Sequence, residues 1–195
     1  MRVKSRDVGD RPTKDGVTVN ERTDAYDPSW EPVDVAALAT AAALPAPGGH
    51  KPPPSMRLAV VTCMDARIRP SLLLGLDAGT MHVMRNAGGR VTPDVLRSLL
   101  LSTWTLGTRQ VAVIHHSGCG TANPDPLLGA ALVAAGATGP FPPLLGSDQP
   151  AVSLRADVAQ LRSDPSLPAD LIVTGHRYDL DTGRLVPLAE LEERG

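Results

Sequence analysis

The apolar positions of this chain follow two patterns, and the two alternate. Short runs with strand preference occur at Leu58 to Cys63, Met81 to Met84, Val111 to Ile114 and Leu171 to Val173. Between them, apolar residues recur at helical spacing. Thr92-Pro93 opens one such stretch with a capping hydroxyl and a proline at the first position, and Leu96, Leu99, Leu100 and Trp104 carry it toward Gly107. Leu127 to Ala135, closed by Gly136, makes a second, and Val152, Leu154, Val158 and Leu161 mark a third. A shorter helix is expected around Pro70 and the run Leu72 to Leu74. Strands alternating with amphipathic helices predict an α/β fold, a three-layer αβα arrangement around a central, mostly parallel sheet of four strands. Tyr178 to Val186, turning at Asp181-Thr182-Gly183, adds an antiparallel strand at the sheet edge.

Upstream of this alternation the pattern fades. Residues 1–32 are polar, broken by Gly and Pro and without period, and read as a tail outside the folded core. Val33 to Leu44 is rich in Ala and predicts about three helical turns. Its small side chains pack closely but bury little area, which suits a helix that clamps another surface. Pro45 to Pro54 reads as a linker, so residues 33–56 form a helix and linker ahead of the domain at 57–195.

Composition narrows the function. A length of 195 residues suits one folded domain. The formal charge of -2, with scattered basic residues, offers no footprint for nucleic acid and points to a small-molecule partner. No apolar run approaches the roughly 20 residues that span a bilayer, and the first residues lack the apolar core of a signal peptide. The expected location is therefore the cytoplasm, with no membrane partner, where Cys63 and Cys119 stay reduced.

The chemistry sits where the strand runs stop. The first ends in Cys63, followed by Asp65 and Arg67; the third ends in His115-His116-Ser117-Gly118-Cys119-Gly120. Parallel sheets bind ligands at the carboxyl ends of their strands, so a thiol, a carboxylate and a guanidinium converge there with a His-x-x-Cys pair. Two Cys and one His form a known catalytic zinc set, because three protein ligands leave the fourth tetrahedral position open. Taken singly, Cys63 reads equally well as an inert core thiol, and the Asp65–Arg67 pair as a surface salt bridge. Adjacent residues at a strand end point to opposite faces, so one of His115 and His116 faces the metal, and the spacing does not say which. Asn86, Ala87 and Gly88 would let bare backbone approach a ligand or would simply form a tight turn.

These residues resemble the beta class of carbonic anhydrases. The signatures Cys-x-Asp-x-Arg and His-x-x-Cys match Cys63, Asp65, Arg67 and His116, Cys119, with Arg-Asn-Ala-Gly at Arg85 to Gly88 between them. The likeness runs from about Arg57 to Leu185, through Gly-x-x-Tyr-Asp-x-x-x-Gly-x-Leu at Gly175 to Leu185. It implies zinc, one Zn2+ per chain, on Cys63, His116 and Cys119, choosing His116 over His115. It implies hydration of carbon dioxide to bicarbonate, with Arg67 holding Asp65 as hydrogen-bond acceptor for the attacking hydroxide. Asp65 would become a fourth ligand only in a closed form, and Asn86, Ala87 and Gly88 would border the substrate pocket. It further implies a homodimer or a dimer of dimers. Relatives that hydrolyse carbonyl sulfide or carbon disulfide on the same site supply a rival reading, and a zinc-binding or redox-sensing protein without turnover supplies another. Three departures stand out: Ser117-Gly118 replaces the Thr-Asp of many members, Pro and Gly fill the segment after Cys119, and the N-terminal helix that members wrap around a partner subunit has only the Ala-rich piece after Asp34 as its counterpart.

Overall fold

The structure is a computed structural model that describes residues 34–36, 49 and 51–192, all within one unit spanning 33–195. The predicted tail at 1–32 and most of the Ala-rich helix lie outside the described residues; within that helix, Val35 and Ala36 are helical and exposed.

A five-stranded sheet runs in the order β2-β1-β3-β4-β5. Its strands are β1 (Leu58–Cys63), β2 (Met81–Asn86), β3 (Gln110–His116), β4 (Ile172–Tyr178) and β5 (Leu185–Pro187). The first four are parallel and β5 is antiparallel to β4. The helices are α1 (Pro70–Leu74), α2 (Pro93–Trp104), α3 (Asp125–Ala134), α4 (Pro150–Ser163) and α5 (Leu188–Glu192). The Thr92 hydroxyl accepts from Val95 N at 3.3 Å, so the predicted cap starts α2. Gly75 ends α1 in the left-handed region at φ 63°.

The two faces of the sheet are unequal. Ala59, Val61, Val111, Val113 and Val173 pack against Val95 and Leu99 of α2 and Leu154, Val158 and Leu161 of α4. On the opposite face Val60, Ala112 and Ile114 meet Leu73 and Leu74 of the short α1. Burying a Val or Leu side chain contributes roughly 1.5–3 kcal/mol, so the first face is the main source of stability.

Three strands run further than their apolar patterns predict. β2 continues past Met84 through Arg85 and Asn86, β3 continues through His115 and His116, and β4 continues past Val173 through Thr174-Gly175-His176-Arg177-Tyr178. Gly175 explains the case of β4: a Cβ there would lie 2.8 Å from Val158 Cγ2, so glycine lets α4 pack this closely. Glycine weakens a strand signal in sequence while it makes the packed strand feasible. Helix α5 has no counterpart among the predicted elements.

Candidate metal centre

β1 and β3 are adjacent and parallel, with Thr62 opposite Ile114, so their carboxyl ends open at the same edge. Cys63 closes β1 and His116 closes β3, both buried. The turn Ser117-Gly118, with Gly118 at φ 60°, brings Cys119 back toward them. The donor atoms of Cys63, His116 and Cys119 all lie within 4.8 Å of one another.

Three details show that this set fits a metal ion. The sulfurs of Cys63 and Cys119 stand 3.8 Å apart. A disulfide would bring them to about 2.05 Å, whereas a tetrahedral ion with metal–sulfur bonds of about 2.3 Å sets two sulfurs about 3.8 Å apart. His116 Nδ1 lies 2.9 Å from the Ser117 carbonyl and donates to it, which leaves Nε2 as the nitrogen with a free lone pair. That Nε2 is buried and has no hydrogen-bond partner. Contact with the Cys63 thiol, then with His116 and Thr121, holds Cys119 below its ordinary value, while the same Cys119 contact and burial push Cys63 up. Burial works against a charged His116, but the neighbouring Cys119 sulfur and its charge outweigh it and raise His116 above its ordinary value.

Asp65 and Arg67 flank the set on its open side. Arg67 Nε donates to Asp65 Oδ1 at 2.9 Å and Nη2 to Oδ2 at 2.6 Å, a two-pronged grip that the Arg67 backbone N–H joins at 2.9 Å. Arg67 Nη2 also donates to the Gly118 carbonyl at 3.0 Å, tying the pair to the Cys119 turn. These contacts hold the Asp65 carboxyl well below the usual carboxylate range, and the carboxylate raises Arg67 in turn. Asp65 Oδ2 stands 3.9 Å from His116 Nε2.

The segment between the two signatures is a brace. Arg85 Nε donates to the Cys63 carbonyl at 3.0 Å and Nη2 to the Asp65 carbonyl at 2.7 Å. Asn86 turns its side chain onto the backbone of Arg90, donating to the carbonyl and accepting from the N–H, each at 2.8 Å. Ala87 to Gly89 form a short turn against β1, kinked at Gly88, whose φ of 78° lies in the left-handed region. A Cβ on Gly89 would lie 2.7 Å from Cys63 N, so this glycine permits the close approach. Gly88 borders a small cavity beside Cys119.

His115 goes the other way. Its Nε2 lies 3.1 Å from Oδ2 of the buried Asp157 on α4. Asp157 also accepts from Arg90 Nε at 2.6 Å and from Val91 N at 3.2 Å. Burial penalises a charged Asp157, but hydrogen bonds from His115 and Arg90 outweigh that and hold its carboxyl below the ordinary value. Sequence reasoning missed this network. The one available signal was a carboxylate at an apolar-face position of α4, three residues after Leu154 and beside Val158.

A sequence model of the carbonic anhydrase family matches residues 58–129. A carbon disulfide hydrolase from Acidianus sp. is 32% identical over 158 residues, covering 68% of this chain and 78% of that protein. The chain belongs to the β-carbonic anhydrase family. β-Carbonic anhydrase 1 of Mycobacterium tuberculosis is 52% identical over 68 residues, a stretch that covers 35% of this chain and 42% of the mycobacterial protein. The carbonic anhydrase from Streptococcus mutans superposes with a TM-score of 0.68 at 36% identity, covering 78% of this chain and 92% of that one. The five-stranded sheet with an antiparallel edge strand is thus the β-carbonic anhydrase fold. No helix among the described residues is long and apolar enough to cross a membrane.

Proposed function

We propose that this β-carbonic anhydrase family member hydrates carbon dioxide to bicarbonate and a proton, with one zinc ion held by Cys63, His116 and Cys119. The observation that carries the reading is the donor set itself: two sulfurs 3.8 Å apart and an orphaned, buried imidazole nitrogen. Zinc on such a set supplies a nucleophile at neutral pH by acidifying water.

The chain's own residues do the rest. Asp65, held ionised by Arg67, is an acceptor that cannot donate, so it orients the attacking oxygen through the proton that oxygen retains. Arg67 fixes that acceptor and keeps it from turning onto the metal. Arg85 braces the backbone on both sides of Met64, so Cys63 and Asp65 keep their relative position. Asn86, Ala87 and Gly88 are read as one wall of the substrate pocket, through the tight turn that Asn86 clamps.

Exposed Val83 lies on the edge strand β2 and exposed Met64 beside its end, and the outer side of β2 has no strand partner among the described residues. That edge supports pairing with a second copy, as a homodimer or a dimer of dimers. Two thiols that must stay reduced to hold a metal support a cytoplasmic location.

The test is stopped-flow hydration of carbon dioxide alongside metal analysis. Zinc near one per chain with a rate far above background is expected, and full zinc with background rates overturns the assignment. A second reading, hydrolysis of carbon disulfide or carbonyl sulfide, is favoured by the 78% coverage of the Acidianus relative. Sulfide release from carbon disulfide in the absence of carbon dioxide hydration would select it.

A further inference from the structure

The Pro- and Gly-rich segment after Cys119 has no part in the chemistry described so far, yet it closes back on the candidate metal centre. Ala122 N donates to the Cys119 carbonyl at 3.0 Å, which folds this stretch into a turn and brings Thr121 alongside the ligand sulfur. Thr121 Oγ1 stands 3.2 Å from Cys119 Sγ. Further contacts keep it there. Ser147 N donates to the Thr121 carbonyl at 3.0 Å, and Asp125, in the first turn of α3, accepts from Leu144 N at 3.0 Å and from Gly146 N at 2.6 Å. One carboxylate thus pins the loop that holds Thr121. A Cβ on Gly146 would overlap the Asn123 carbonyl, so this glycine lets the loop come in.

Room for the hydroxyl is left by the segment between the two signatures. A Cβ on Gly88 would lie 2.6 Å from Thr121 Oγ1, so the absence of a side chain there gives the hydroxyl its place. Chemistry fixes the direction of the bond. A sulfur that holds a metal ion is a thiolate, and a thiolate has no proton to give, so Thr121 is the donor once the ion is bound. Charge decides what that bond does. Two thiolates formally cancel a divalent ion and blunt its pull on bound water, whereas a donor aimed at one sulfur draws negative charge away from the ion and fixes where that sulfur points.

We propose that Thr121 is a positioning residue for this centre: its hydroxyl donates to the Cys119 sulfur, holds that ligand in place, and leaves the bound ion a stronger Lewis acid than two bare thiolates would. The inference rests on the metal reading above, and its test separates the two.

Zinc has a filled d shell and no colour, so wild type, Thr121→Val and Thr121→Ser are loaded with Co2+ and the sulfur-to-cobalt charge-transfer absorption is recorded. Affinity for Co2+ is measured alongside by competition with a chelator. Val matches Thr in shape and lacks the hydroxyl. Losing a donor raises the energy of the sulfur electrons, so the Thr121→Val band should move to longer wavelength, with Co2+ held about tenfold more weakly. Thr121→Ser keeps the hydroxyl, guards against a damaged fold, and should match the wild type in both readouts. A Thr121→Val band at the wild-type wavelength would overturn the proposal even if affinity falls, because packing alone would then explain the loss. A Thr121→Ser band shifted as far as that of Thr121→Val would overturn it too, since the methyl group and not the hydroxyl would be responsible. A wild-type protein with no sulfur-to-cobalt band would bring down the metal reading itself, and Thr121 would have no ligand to position.

Discussion

Adjacent histidines at the end of β3 each face an aspartate held by an arginine, and the two sets have opposite fates. His116 looks toward Asp65, which Arg67 grips, and the two sulfurs complete its surroundings. His115 looks toward Asp157, which Arg90 grips. The first pair is built from residues two apart in sequence, with 41% of the Arg67 side chain and 16% of the Asp65 side chain exposed. The second joins residues 67 apart, with 15% and 3% exposed. A carboxylate near solvent can exchange partners and protons; one sealed under a helix can only hold its neighbours in place. The same three residue types therefore make a reactive edge on one side of the strand and a rivet on the other.

The sharpest way to break this contrast is to remove each histidine. His116→Ala should lose bound metal and activity together, whereas His115→Ala should keep close to the wild-type metal content, read by elemental analysis. A metal-free His115→Ala, or a fully loaded His116→Ala, would erase the distinction. The next largest effect concerns Arg67. In Arg67→Ala, Asp65 is released from its grip and closes on the metal as a fourth ligand, so hydration should fall by roughly 10²-fold or more while metal stays bound. X-ray absorption should show one more oxygen ligand than in Asp65→Ala, and an open position in Arg67→Ala would count against it.

Stability should separate the two aspartates in the other direction. Asp157→Asn leaves Arg90 buried without its counter-charge, an arrangement that costs about 3–5 kcal/mol. Asp65→Asn should cost at most about 1 kcal/mol, since that pair meets solvent. Urea unfolding of both variants checks the order.

The smallest effect is the pH dependence of that difference. Asp157 is held below its ordinary value in the folded protein. Its ionisation therefore contributes stability that is complete above the unfolded value near pH 4 and is lost as pH falls through the lower folded value. The gap in melting temperature between wild type and Asp157→Asn should be widest near neutrality and narrow below pH 4. A gap that widens with acid would mean the sign is wrong.

Most of the fold was legible in the sequence, and the places where it was not are instructive. β1 and the core of β3 are uncharged runs with strand preference, and Thr92-Pro93 is a local start signal that needs no tertiary help. β4 was cut short because Gly175 and four polar neighbours mask a strand whose pairing with His115 and His116 holds it extended. Nothing local in the sequence shows that Asn86 spends its amide on the backbone of Arg90. Arg85 carries no local sign that it reaches back to the carbonyls of Cys63 and Asp65 on the neighbouring strand.

By itself the sequence determined the groups that meet through their own stretch of backbone: the strand runs, the helix caps, the Asp65–Arg67 grip and the return of Cys119 toward His116. Each spans at most a few residues, so local conformational preference and spacing are enough to specify it. Tertiary structure alone decided what faces what across the sheet. Parallel register places Arg177 beside His115 and sets Asp157 of α4 against Arg90, and the cavity between them exists only once these elements have packed. Such partners are separated by many residues, and their meeting depends on the burial of Val111, Val113, Leu154 and Val158 in one core, which orients the polar groups without being encoded next to them.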